Sequence, residues 1–129
     1  MADLEVLSRN CAADLGPTIW ALGMVRVIIQ NLPDPLDHVY SPRIDAMCDV
    51  MQDILKEMPA LDEPADKLER AKALVSYLVQ ACARMRVVCA TIDQEYIEYN
   101  VPLRHERDSV RACAHRALRY LEDQLKAIS

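Results

Sequence analysis

The side chains of this sequence best suited to bind a metal or attack a substrate are three histidines and five cysteines. Their spacing argues against most of the chemistry they could do. His105 and His115 stand ten residues apart, so no helix presents them as an i, i+4 chelating pair. His38 falls in a proline-rich stretch near Asp34 and Asp37. Cys113 and His115 are close in sequence, but two residues apart on a helix means different faces, poor geometry for a thiol and its base. The chain has no Glu-x-x-His pair of the kind that di-iron bundles use, no HExxH, no GxSxG and no glycine-rich phosphate loop. Tyr96, Tyr99 and Tyr120 could line a small pocket, yet tyrosines at helix-core positions usually bury the ring and send the hydroxyl to the end of the bundle. No catalytic residue, metal or cofactor is therefore expected, and the chain reads as a non-enzymatic protein. The alternative is a small-ligand or metal-binding bundle, with or without catalysis, built on His105, His115 and the tyrosines.

The cysteines point elsewhere. Cys11, Cys48, Cys82, Cys89 and Cys113 form no CxxC, and five is an odd number. Cys48, Cys82 and Cys89 fall on apolar helix stripes, where a cysteine acts as a small buried hydrophobe. Reduced core thiols fit a cytoplasmic protein. The first ten residues, MADLEVLSRN, contain no apolar signal segment.

Charge narrows the partners. The net charge is −5, with an isoelectric point near 5.1, which disfavours direct binding to nucleic acid. Residues 34–66 carry nine acids against Arg43 and Lys56, so −7, and residues 102–129 carry six bases and four acids, so +2. Asp45, Asp49, Asp53 and Glu57 recur every four residues. Like charges at that spacing repel, and the ladder faces away from the apolar stripe of its own helix. It reads as a solvated face or as a docking face for a basic protein, where it would speed and orient association. Around residues 93–107 the charges oppose the helix dipoles. Asp93, Glu95 and Glu98 precede a helix end, and Arg104, His105 and Arg107 follow one. Either these sets pair with each other, or Arg104, Arg107, Arg111 and His115 form a basic stripe for an acidic ligand.

The elements that must position these groups are helices. Alanine, leucine, methionine, arginine and glutamate are abundant, glycine occurs twice and phenylalanine not at all. Four segments are predicted in one all-α domain, at about 3–31, 42–58, 63–100 and 103–128. Pro17 cannot donate to the carbonyl of Ala13, so the first segment kinks or breaks near Gly16-Pro17. Ser41-Pro42 caps the second, Pro59 ends it, and Asp62 is the candidate cap of the third. In the third, Leu68, Val75, Cys82, Cys89 and Tyr96 recur every seven residues, with Ala71, Leu78, Met85, Ile92 and Tyr99 three residues after each. The pattern predicts an antiparallel four-helix bundle with a coiled-coil-like seam; a pair of long hairpins completing its core as a dimer is the runner-up.

Two stretches exceed what such a bundle buries. Residues 19–29 hold one charge, Arg26, and between Ala73 and Ile92 only Ser76, Gln80, Arg84, Arg86 and Thr91 are polar. Eleven helical residues span roughly 16 Å, half of a bilayer core, so a membrane span is not expected. A second apolar interface is: self-association through Leu74, Ala81 and Val88 with Arg84 at the edge, Arg26 and Arg86 marking the same border. The chain is thus expected to be a homodimeric helical module that binds another protein as an inhibitor, immunity-type antagonist, adaptor or chaperone.

Overall fold

The structure is a computed structural model that describes residues 3–32, 42–62, 65–98 and 109–129. Most of the described residues are helical, and there is no strand among them. Five helices follow in order: α1 Leu4–Ala13, α2 Gly16–Gln30, α3 Pro42–Lys56, α4 Lys67–Glu98 and α5 Val110–Ile128.

The predicted first segment is two helices meeting at 100°. Without an N–H, and with a ring that collides with the preceding turn, Pro17 stops α1 at Ala13. Asp14 adopts an extended backbone, and its Oδ1 accepts the N–H of Gly16 at 3.1 Å. Pro17 then sits in the first turn of α2, where no intrahelical donor is needed. The inside of the elbow is dry. Cys11 and Thr18 are both fully buried, and the Cys11 thiol donates to Thr18 Oγ1 at 3.5 Å. Because of the bend, α1 packs on α4 while α2 packs on α5 and touches α3.

The long helix α4 is the centre, with α1, α3 and α5 against it. Of the seven-residue pattern, Ala71, Val75, Leu78, Cys82, Met85, Cys89, Ile92 and Tyr96 are buried, while Leu68 at the helix start is 39% exposed. Tyr99 lies outside the described residues. One expectation is corrected here. Leu74, Ala81 and Val88 do not face outward; they are 0%, 2% and 0% exposed and belong to the same core. A two-in-seven stripe is the seam of a two-stranded coil, whereas a helix covered by several neighbours buries about three in seven. With helices on three sides, α4 uses the wider face.

The helix ends follow local chemistry. Asp66, not Asp62, starts α4: its Oδ1 accepts the Leu68 N–H at 3.1 Å, and its carbonyl accepts Arg70 N. The Asp62 carbonyl accepts the Arg70 guanidinium at 2.7 Å instead. Ser109 caps α5 by accepting the Ala112 N–H at 3.1 Å, so that helix starts at Val110, later than the residue 103 expected from sequence. The cap assigned to Ser41 lies outside the described residues. Two cross-ties fix the assembly. The Tyr77 hydroxyl donates to the Ile54 carbonyl at 2.7 Å, joining α4 to α3, and Asn10 Nδ2 donates to the Ile128 carbonyl at 2.7 Å, joining α1 to the end of α5. Burial raises the Tyr77 hydroxyl to a pKa of about 12, so the tie persists across the neutral range.

The two placements make opposite predictions. Leu74→Ala is expected to lower unfolding free energy by about 2–5 kcal/mol, as for a buried leucine, whereas Val87→Ala on the outer side of α4 should change it by no more than about 0.5 kcal/mol. Urea denaturation of both variants measures the difference; equal small effects would return Leu74 to the surface.

Candidate interaction surfaces

All five cysteines are free and buried. Burial raises the thiols of Cys48 and Cys89 to about 12 and that of Cys82 to about 11, and neighbouring carboxylates add to the effect at Cys48 and Cys89. A thiol so shifted supplies almost no thiolate at neutral pH and is a poor nucleophile. Cys113, buried in α5, accepts a weak contact from Arg116 at 3.5 Å, while His115 turns to another partner. No group of three or more His, Cys, Asp or Glu among the described residues is placed to hold a metal ion; His38 and His105 lie outside them.

That partner is Asp93. Its Oδ1 accepts from Arg111 Nε at 2.9 Å and faces His115 Nε2 at 2.8 Å, bridging α4 and α5. The Arg111 guanidinium also lies 5.6 Å from the ring centroid of Tyr96, within cation–π range. Partial burial pushes the Asp93 carboxyl up, but the hydrogen bonds and charges of His115 and Arg111 outweigh it and hold the group below the usual carboxylate range. Two residues on, Glu95 is 3% exposed and pairs through Oε1 with Arg43 Nη1 at 3.3 Å. Its Oε2 is buried with no hydrogen-bond partner among the described residues. Asp93 and Glu95 are therefore met by bases from α5 and α3. Arg104, His105 and Arg107 lie outside the described residues. Arg111 and His115 are engaged with Asp93, so these two do not form an open basic stripe.

The acidic ladder divides. Asp49 and Asp53 are exposed on α3. Glu57 is exposed and paired with Arg84 of α4. Asp45 turns inward: it is half-buried, and its Oδ1 is buried without a hydrogen-bond partner among the described residues. The outward face thus carries two carboxylates with no ion pair to another described residue, rather than the four read from the spacing.

The apolar surplus is real but sits elsewhere on α4. Ser76, Gln80, Ala83, Val87, Ala90, Gln94 and Ile97 are all exposed and none is charged. Val87 is 63% and Ile97 74% exposed, among the most exposed large apolar side chains described. This strip runs about 30 Å along the helix. Ion pairs edge it on both sides: Arg84 with Glu57 of α3, and Arg86 with Glu122 of α5 at 3.4 Å. Arg26 lies farther off on α2, its Nη2 reaching Met58 Sδ at 3.5 Å. The register was available in the sequence, since these residues occupy the two heptad positions opposite the seam. What was missing was how many helices cover α4, and from which sides.

α4 is also long and apolar enough to cross a membrane by length and composition, with half of the qualifying window buried inside the protein. The core helix of a water-soluble protein meets the same test.

The Asp93 cluster predicts a pH signature. A carboxyl whose folded pKa is depressed stabilises the fold above its unfolded pKa, and that contribution is lost as pH falls through the folded value. Asp93→Asn should lower stability by about 1 kcal/mol at pH 7, and the gap to wild type should close below about pH 4, as read by urea midpoints across pH. A gap constant from pH 7 to 3 would exclude the pairing. The thiols give a second signature: a chromogenic disulfide reagent at pH 8 should titrate fewer than one equivalent quickly in the native protein and all five in denaturant. Comparison with protein-family models, with curated proteins and with solved structures finds no match to this chain.

Proposed function

We propose that the chain is a non-enzymatic protein-binding module that works as a homodimer through the outer face of α4, with α1, α3 and α5 arranged around that helix as a bundle. The observation that carries this reading is the uncharged strip from Ser76 to Ile97, exposed along α4 between α3 and α5, whose own exposed residues are largely charged. Its sequence is self-complementary in an antiparallel pairing. A two-fold axis passing near Met85 sets Ser76 opposite Gln94 of a second copy, Gln80 opposite Ala90 and Ala83 opposite Val87. The small residues admit a close approach, and the two glutamines can hydrogen-bond across the seam. Such a two-fold contact uses the same patch twice. The edges are electrostatically compatible, because each Arg84–Glu57 pair meets its own copy with charges of both signs.

The exposed Asp49 and Asp53 of α3 then remain free to attract a basic partner, where opposite charge accelerates capture more than it deepens affinity. Inhibitor, adaptor, antagonist and chaperone roles all use such a surface. Soluble, cytoplasmic residence and the absence of direct nucleic-acid binding belong to this same reading, supported by the acidic balance and by the burial of α4 beneath three helices.

Sedimentation equilibrium is expected to return twice the 14.6 kDa chain mass at micromolar concentration. Val87→Glu should weaken the dimer by at least about tenfold, since a charge would be trapped in the seam, with unfolding free energy of the monomer unchanged. A wild-type protein that stays at one chain mass at high concentration removes the homodimer.

A further inference from the structure

A second surface lies between α2 and α5. Gly16, Pro17, Trp20 and Ala21 from the elbow face Tyr120, Asp123 and Gln124 across a cleft of about 430 Å³. Trp20, the one tryptophan in the chain, is 60% exposed. Its ring meets that of Tyr120 edge-on, with centroids 5.5 Å apart and planes at 66°, so the two aromatics make an open corner rather than a closed stack. Asp123 stands one helical turn from Tyr120 on α5. It is exposed and makes no ion pair with another described residue, although the bases Arg119 and Lys126 occupy adjacent turns of the same helix.

We infer that this corner binds the guanidinium of an arginine side chain presented by a partner protein. Two aromatic faces and an unengaged carboxylate share the chemistry of one ligand, a cation with an apolar or planar surface. Arginine fits better than the other cations that such a site could take. Its planar group stacks on one ring while its N–H fork donates to Asp123. A lysine ammonium is compact and strongly hydrated and cannot stack. A quaternary ammonium has no N–H to donate, and a cleft with two rings leaves it uncaged. Tryptophan, tyrosine and arginine are also the residues most enriched among the energetic hot spots of protein interfaces. The inference rests on the protein-binding reading but uses residues other than those of the outer strip of α4, so the two fail separately: one is read by chain mass, the other by a local probe.

Trp20 provides that probe, because all tryptophan emission comes from it. Titration of the full chain with N-acetyl-arginine amide is expected to change the emission saturably, with half-saturation in the millimolar range. Asp123→Asn, at an exposed position that leaves the helix intact by circular dichroism, should weaken binding at least fivefold, and raised salt should weaken wild type more than the variant. N-acetyl-lysine amide and tetramethylammonium should bind at least fivefold more weakly than the arginine derivative. An emission that does not saturate, an Asp123→Asn protein that binds equally well, or tetramethylammonium binding as tightly as arginine would each overturn the assignment.

Discussion

Pro17 has no N–H to give the carbonyl of Ala13, and its ring needs the space of the turn before it. The other helices are arranged around that local prohibition. A continuous helix over residues 3–31 would lie along a single neighbour. Broken and turned by 100°, the same residues become two short helices that cover different parts of the molecule, α1 on α4 and α2 on α5. The elbow is then held by burial rather than by covalent staples. Cys11, Leu15 and Thr18 fill its inside, and the cysteine serves there as a small apolar group with one weak hydrogen bond.

The consequence reaches the interaction surfaces. With α1, α3 and α5 all against α4, Leu74, Ala81 and Val88 are enclosed. The face left bare moves to Ala83, Val87, Ala90 and Ile97. The excess of apolar surface on α4 is thereby smaller than the composition suggests and lies along one outer strip, while α2 keeps Trp20 and Val27 exposed. The elbow acts a second time at its outer corner, where turning the chain at Gly16-Pro17 sets Trp20 against Tyr120 of α5. A straight first helix would carry that tryptophan away from Asp123.

Electrostatics follow a similar rule. Acids at the C-terminal end of a helix oppose its dipole, and Asp93 and Glu95 are tolerated because cations from other helices meet them, Arg111 and His115 for one and Arg43 for the other. Charges that look like a ladder or a stripe along one helix are thus divided among partners across several. Arg84 and Arg86, two residues apart, point to different neighbours, Glu57 of α3 and Glu122 of α5.

Several features were legible from residue order alone because they depend on contacts within a few residues. These include the all-helical class, the break at Pro17, the start of α3 at Pro42 and the burial of the cysteines at positions 48, 82 and 89. Periodicity also showed that α4 keeps an apolar seam. It could not show how wide the buried face is, since width depends on how many helices surround the axis, a property of the whole assembly. Charge spacing likewise marked Asp45 and Glu57 as members of a ladder, but only packing decided that Asp45 turns inward and that Glu57 meets Arg84. The Trp20, Tyr120 and Asp123 corner joins residues about one hundred positions apart, so no local pattern announces it. Backbone chemistry is a short-range matter and was written in the chain; the identity of each outward face is a long-range one, settled when α1 and α2 parted at the elbow.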